Sequence, residues 1–444
     1  MAVMPQEAPA DTSLTVLSLE DAIRIALSEN ASVRVADKEI ERLGYARKGT
    51  YASLFPQIDG SGSYQRTIKK QMMYMDFDTS SLTGDSSEDS SSSGGGFEVG
   101  RWNTWSAGVT ASMPLVNAQL WKSIRISGDE VELAVEKARS SRLETVTQVK
   151  SAYYGILLAK EAFKVYKSVY ENALENCELT QKKFNSGRAS ELDLTRAKTT
   201  LANAVPNVYD SENSVILSLW QLKAVMGIDL DANIDIAGSL LDYAEEMMRD
   251  GVREEGLSLA GNSSMRQLAI QAEELANTVK MQQYAYIPTL AVSFSYALNA
   301  MTNDFNFSEY KWSPYSYVGL SLNIPIFSGG KRLNSVRQAK VQAAELDIQR
   351  QNTERQIRIS IRQYLNSMET AMKSYASAED ALGTAQKAYD IAVKSYNVGR
   401  STLTDLNDAQ LSLVQTQLTV CQAIYNFVSA RASLEQIIGA DFTE

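Results

Sequence analysis

Residues 183–194 read KFNSGRASELDL, and residues 395–406 read SYNVGRSTLTDL. The stretches align Gly187 on Gly399, 212 positions apart. In each, an Asn stands two residues before the glycine and an Arg directly after it. Glycine readily takes the left-handed backbone that stops a helix. Ser190-x-x-Asp193 and Thr402-x-x-Asp405 have the spacing of a capping box, in which hydroxyl and carboxylate satisfy free N–H groups at the start of the next helix. Each stretch therefore predicts a turn between two antiparallel helices, with tips at 185–193 and 397–405.

The correspondence extends well beyond the turn. Met226-Gly227-Ile228-Asp229 returns as Ile438-Gly439-Ala440-Asp441, again 212 residues later. Met113-Pro114-Leu115 returns as Ile324-Pro325-Ile326 at an offset of 211, and LFPQIDGSGSY (54–64) returns as YIPTLAVSFSY (286–296) at 232. The offset drops by 21 between the two prolines of the first half, so an insertion lies there. It includes DTSSLTGDSSEDSSSSGGG (78–96), whose composition cannot offset the entropy of ordering and predicts a mobile loop. The chain is a tandem duplication of a unit of roughly 200 residues, too long a period for a solenoid.

Within each half the prolines bracket segments that alternate with period two. Leu290, Val292, Phe294, Tyr296 and Leu298 oppose Ala291, Ser293, Ser295, Ala297 and Asn299, and Val318, Leu320, Leu322 and Ile324 oppose Tyr317, Gly319, Ser321 and Asn323. Trp105, Ala107, Val109, Ala111 and Met113 form a third such face; Ile58, Gly60, Gly62 and Tyr64 form a weaker fourth. Alternation places one face against apolar material and the other against water. A soluble sheet over a helical core would satisfy this. The segments nevertheless have about the 9–11 residues that cross a bilayer as strands, and Trp102, Trp105, Tyr310, Trp312, Tyr315 and Tyr317 gather toward their ends, which favours a membrane barrel.

The remainder has helical texture. Ile361, Tyr364, Met368, Ala371, Tyr375, Ala378, Leu382, Ala385, Tyr389, Ala392 and Tyr396 recur at steps of 3 and 4, a heptad seam that demands another helix alongside. The first half carries Val146, Val149, Tyr153, Ile156, Phe163, Tyr166, Tyr170, Ala173 and Cys177, broken at Lys160. One helix from 331 to 396 would be on the order of 100 Å long. Cys177 and Cys421 both fall on such seams and read as small buried hydrophobes rather than a redox pair.

Composition excludes much else. The 444 residues include no histidine, two cysteines, 43 Lys+Arg and 53 Asp+Glu. That removes the commonest general base and metal ligand, argues against phosphate-backbone binding and hence a nucleic-acid partner, and points to no cofactor, no metal and no catalysis. No apolar run suffices for a transmembrane helix. The first 14 residues lack the basic and apolar regions of a secretory leader, leaving a cytoplasmic chain or an exported one without its leader.

FPQIDGSGSY with IPTLAVSFSY, PIFSGGKR, FNSGRASELDL and YNVGRSTLTDL, in that duplicated order, resemble the TolC family of outer-membrane efflux proteins from about Leu19 to Asp441. The resemblance implies a mainly α, tandem-duplicated protomer with a small antiparallel β part. Four strands would join a trimeric twelve-stranded membrane β-barrel, and long coiled-coil helices would form a periplasmic α-barrel. The expected divisions are an N-terminal tail (1–18), helix (19–55), strands 1–2 (56–114) with an extracellular loop at 67–101, a helical hairpin (115–226), an inter-repeat equatorial segment (227–262), helix (263–286), strands 3–4 (287–326), a second hairpin (327–438) and a C-terminal tail (439–444). Four strands cannot close a barrel, so several copies must share one.

By the same resemblance the chain is an exit channel of a tripartite efflux pump in a Gram-negative outer membrane. Its partners are its own trimer mates, a periplasmic adaptor, an inner-membrane pump of RND, ABC or MFS type, and the lipid bilayer. The alternatives are the exit duct of type I protein secretion and a structural periplasmic coiled-coil protein. The gate would involve Tyr396, Asp405, Asp408 and Asp193, with Arg400 one residue before the family's usual arginine position, which is Ser401 here. The adaptor-facing tips are Ser186, Gly187, Arg188, Val398, Gly399 and Arg400; lipid is expected on Leu290, Val292, Phe294, Val318, Leu320 and Leu322.

Overall fold

The computed structural model describes residues 14–73, 97–250 and 258–439. The low-complexity stretch 78–96 lies outside them. The described chain forms two compact units, one of residues Met1–Leu43, Asp129–Glu273 and Ala343–Glu444, the other of Gly44–Gly128 and Glu274–Gln342.

The second unit holds the long strands: β2 (Gln57–Arg66), β5 (Asn103–Val116), β7 (Thr289–Thr302) and β8 (Ser313–Asn323), in the antiparallel order β2-β5-β7-β8. Register aligns the four apolar sets onto one face. Leu290 pairs with Leu322, Val292 with Leu320 and Phe294 with Val318, while Phe294 also opposes Ala111 and Ala111 opposes Ile58. Because side chains alternate, a one-residue slip would scatter this face, so the pattern pins the register. The face is open: Val318 is 72% exposed and Leu320 71%. The other face is polar, with Ser63 and Ser106 hydroxyls 2.6 Å apart. Neither edge strand, β2 or β8, has a partner on its outer side within the described chain.

Two sequence expectations need correction here. Pro114 does not end its strand: β5 continues to Val116, and the register shifts between Pro114 and Val116, where a residue without an N–H is tolerated. The span 67–101 is not wholly loop, because β3 (Gln71–Met73) pairs antiparallel with β4 (Phe97–Val99).

The first unit is helical. Its elements include α1 (Leu19–Glu29), most of α3 (Ala118–Asn185), α4 (Glu191–Met226), α5 (Asp242–Asp250), most of α7 (Lys331–Asn397) and α8 (Leu403–Ile438); α2 (Ala31–Ala52) and α6 (Ser263–Tyr284) each begin in it. The 67-residue α7 carries the expected seam. Ile361, Met368, Ala371, Tyr375, Ala378, Ala385 and Tyr396 are all buried. Cys421 is buried and Cys177 half-buried, both as free thiols; burial pushes the Cys421 thiol up to about 11.

The duplication recurs in the backbone locks that close the helices. Gly227 and Gly439 end α4 and α8 with φ of 76° and 71°. Asn30 Nδ2 donates to Val225 O at 2.6 Å and Asn262 Nδ2 to Ile437 O at 2.7 Å, so each Asn satisfies a carbonyl left orphaned at a helix end. The asparagine side-chain oxygens in turn accept from Ser32 N and Met265 N, opening α2 and α6. A Cβ on Gly227 would lie 2.7 Å from Glu29 O, so this junction requires glycine for space as well as for φ.

The expected tail 1–18 contains a strand, β1 (Thr15–Leu17), which runs parallel to β6 (Ile234–Ile236). Three residues are too few for their alternation to stand out in sequence. Tyr153 Oη fixes the pair to α3 by donating to Ala237 O at 2.7 Å, and burial raises this phenol to about 12. Close by, Glu435 takes Lys150 at 2.6 Å and Arg431 at 3.1 Å, and Arg431 reaches Glu246 at 2.7 Å, tying α8 to α3 and α5.

Candidate functional site: the paired helix turns

Both turns close as the quoted motifs require. Gly187 and Gly399 have φ of 71° and 76°. Arg188 N donates to Lys183 O at 2.8 Å and Gly187 N to Phe184 O at 2.9 Å; Arg400 N to Ser395 O at 2.8 Å and Gly399 N to Tyr396 O at 3.1 Å repeat the pattern. These are the two crossed bonds of a Schellman stop. Asp193 N donates to Ser190 Oγ at 3.1 Å and Asp405 N to Thr402 Oγ1 at 3.2 Å, and each carboxylate accepts back from the cap residue, completing both capping boxes. The Thr402 hydroxyl and backbone N–H hold the Asp405 carboxyl below its ordinary value.

Ser186, Gly187, Arg188, Val398, Gly399 and Arg400 are all exposed, and Val398 reaches 71%. Asp405 and Asp408 are exposed in the first turns of α8, three residues apart and so on roughly one side of it. Asp193 is half-buried at the start of α4. Among the described residues no hydrogen bond joins Tyr396 to these carboxylates. Tyr396 is 7% exposed and lies in the seam with Ala197, Leu403 and Leu406.

There it meets two residues that sequence reasoning missed. Its hydroxyl lies 2.7 Å from Thr180 Oγ1, and Thr180 is fully buried. Thr180 Oγ1 also donates to Asn176 O at 2.7 Å, which uses its only hydrogen, so the tyrosine is the donor between the hydroxyls. Lys183 Nζ stands 4.1 Å from the Tyr396 ring centroid and donates to Tyr396 O at 2.9 Å. Burial lowers the Lys183 pKa, since the charged form loses hydration. The sequence held a signal: Thr180 continues the spacing of Ala173 and Cys177, a polar residue at an apolar seam position. Beside this seam, a groove of about 620 Å³ opens between α3 and α7, lined by Glu175, Glu178, Lys182, Asp390 and Lys394 among others.

The sequence pattern of outer membrane efflux proteins matches residues 22–228 and 256–440, both halves of the duplication. The chain belongs to the outer membrane efflux protein family. Outer membrane protein TolC of Vibrio cholerae is 21% identical over 341 residues, covering 75% of this chain and 76% of that protein. Alkaline protease secretion protein AprF of Pseudomonas aeruginosa is 22% identical over 426 residues, 95% of this chain and 84% of its own. Among solved structures, the Campylobacter jejuni CmeC outer membrane channel superposes with a TM-score of 0.73 at 18% identity, covering 98% of this chain and 90% of that one. The V. cholerae outer membrane protein VceC gives 0.73 at 18%, with 96% of each chain covered. This outer membrane efflux protein thus has the mainly helical, tandem-duplicated TolC-like fold, and its place is the outer membrane.

Proposed function

We propose that this chain is the exit channel of a tripartite efflux pump. It passively conducts drugs or other small molecules from a periplasmic adaptor and an inner-membrane pump of RND, ABC or MFS type to the exterior. The observation that carries this is the sheet: one continuous apolar face, one hydroxyl-rich face and two open edges. In lipid every backbone N–H and C=O must be satisfied, so β8 of one copy pairs with β2 of the next, and a homotrimer closes the barrel. Leu290, Val292, Phe294, Val318, Leu320 and Leu322 then face lipid, and the serine-lined face forms the lumen.

On this reading the paired turns are the periplasmic tips. Ser186, Gly187, Arg188, Val398, Gly399 and Arg400 face the adaptor. The exposed Asp405 and Asp408, with Asp193 and Arg400, form the closed constriction, and Tyr396 acts through the seam by holding α7 against α3. AprF, matched over 95% of this chain, supports a second reading as a protein-secretion duct.

Three measurements test the proposal. In planar bilayers the purified protein should form a channel that runs as a trimer in mild detergent; a monomer without conductance refutes it. Cysteines at Ser186 or Val398 should crosslink to a co-expressed adaptor, and labelling of those cysteines from outside intact cells would place the tips on the wrong side. In the native host, deletion should raise drug sensitivity, whereas loss of one secreted protein with unchanged sensitivity selects the secretion reading.

A further inference from the structure

The apolar face of the sheet does not simply stop at the ends of β2 and β5; it changes chemistry. Tyr64 and Trp105 face each other in register and stack with ring centroids 4.3 Å apart. Phe307 meets Trp105 at 5.0 Å and Tyr310 meets Phe307 at 4.8 Å, giving an aromatic belt across the strand ends. Tyr and Trp prefer the level where hydrocarbon meets headgroups.

Cations follow directly beyond the belt. Arg66, two residues past Tyr64, has the same parity as Ile58, Gly60 and Gly62, so it continues their face. Its guanidinium lies 6.0 Å from the Phe305 ring centroid. Thr67 N donates to Trp102 O at 2.8 Å, which brings Lys69, Lys70, Arg101 and Trp102 to the same end of the β2–β5 ladder. Lys70 is already engaged: its ammonium lies 4.7 Å from the Trp102 ring centroid and 3.7 Å from Glu98. Arg66, Lys69 and Arg101 are exposed and make no ion pair among the described residues. Arg66 lies just outside the aromatic belt on the face that meets lipid, with Lys69 and Arg101 beside it at the same end of the ladder, at the depth of lipid phosphates.

We infer that Arg66, Lys69 and Arg101 form a site for the phosphate groups of a membrane lipid, with the lipid's acyl chains along the Ile58–Tyr64 and Ala107–Ala111 face. The recognised chemistry is a phosphate monoester or diester carried on an acylated anchor. Arginine suits it because the planar guanidinium pairs with phosphate through two parallel hydrogen bonds, and the aromatic ring beside Arg66 holds the cation at the interface. The alternative source of the same chemistry, free phosphate, lacks acyl chains to cover the apolar face. This inference rests on the barrel reading above.

The test is native mass spectrometry of the full-length protein released from detergent, titrated with the diphosphorylated glycolipid lipid A and, separately, with inorganic phosphate. Wild type should retain lipid A. Arg66→Gln with Arg101→Gln should weaken binding about fivefold for each cation removed, the effect of one basic residue near an anionic surface. Arg66→Lys, which keeps the charge but loses the paired hydrogen bonds, should bind more weakly than wild type and more tightly than Arg66→Gln. Equal lipid retention by wild type and the double variant overturns the site. So does saturation by inorganic phosphate that is lost in the double variant while lipid A binding is unchanged, because the ligand would then be a free anion. Planar-bilayer conductance is measured on both proteins. Normal conductance with unaltered lipid retention refutes the lipid site alone, whereas absence of conductance from wild type refutes the channel reading beneath it.

Discussion

Thr180 and Tyr396 permit a prediction whose order of effects follows from counting hydrogens. Thr180 spends its proton on Asn176 O, and Tyr396 spends its own on Thr180 Oγ1. Tyr396→Phe therefore removes a donor and leaves Thr180 with its proton still placed; the loss is one ordinary hydrogen bond, about 0.5–1.5 kcal/mol. Thr180→Val is nearly isosteric but strands the phenol proton in a site where Tyr396 is only 7% exposed. An orphaned buried donor costs about 1–3 kcal/mol. The double substitution leaves neither group, so it should be less destabilising than the sum and close to the value for Tyr396→Phe. Global melting of a large assembly would blur such a difference, but amide exchange reports local opening. Exchange of backbone amides in 391–406, followed by mass spectrometry, should speed up roughly 2- to 12-fold in Tyr396→Phe and about 5- to 150-fold in Thr180→Val. If Tyr396→Phe equals or exceeds Thr180→Val, or if the two effects add in the double variant, the assigned direction of the bond is wrong.

Further outcomes are expected at three other places. An Arg at Leu320 should cost about 2–4 kcal/mol if the residue sits near mid-membrane and should reduce trimer yield in detergent; a fully stable, detergent-independent fold of that variant would exclude the barrel. Because burial lowers the Lys183 pKa, the unfolded tip binds more protons than the folded one between that lowered value and about 10.5, so tip stability should rise with pH through this window. Lys183→Met should flatten that rise in the same exchange experiment, and an identical slope would show that another group titrates. Asp405→Ala with Asp408→Ala should abolish block of the channel by hexammine or divalent cations from the periplasmic side, since threefold symmetry would gather carboxylates that bind cations; unchanged block would reduce both residues to helix-start carboxylates.

What could be read in advance was whatever depends on a period or on a backbone stop. The apolar sets of β5, β7 and β8 were visible because alternation is maintained over eight or more residues. Their alignment onto one face follows from the β7–β8 hairpin and from the long-range pairing of β5 with β7, in which a slip would break the apolar face. The seam of α7 was visible for the same reason, and Gly187, Gly399, Ser190 and Thr402 marked the turns because their φ and capping demands admit few residues. What escaped was set by contacts distant in sequence. β1 joins β6 from 219 residues away in the register of Thr15 with Ile234, and three-residue strands have no period to detect. Asn30 and Asn262 look like ordinary helix-start residues until their amides are seen to reach across 195 and 175 residues. Tyr396 is marked by its place before the turn, but nothing local marks its partners Thr180 and Lys183, which are 216 and 213 residues upstream.

The two repeats also show where duplication was held and where it was released. The groups that close the helix turns and the repeat junctions are kept in pairs: Gly187 with Gly399, Ser190 with Thr402, Asp193 with Asp405, Gly227 with Gly439, Asn30 with Asn262. An unsatisfied helix end costs the same in either half, so neither copy could drift. The side chains packed around the turns did diverge. At the offset of 212, Tyr396 corresponds to Phe184, Thr180 to Ala392, Lys183 to Ser395 and Asp408 to Arg196. The buried hydroxyl pair therefore exists once per chain, although the scaffold around it exists twice. The bond joins α3 of the first half to α7 of the second, so if the tips move apart when the channel opens, this contact between the hairpins must be broken outright, whereas apolar seam contacts tolerate sliding. The hairpin of α3 and α4 and the hairpin of α7 and α8 are thus equivalent in fold but not in side-chain interlocks. The residues that make them unequal, Thr180, Lys183, Tyr396 and Asp408, are the ones whose replacement should alter gating while leaving the folded hairpins intact.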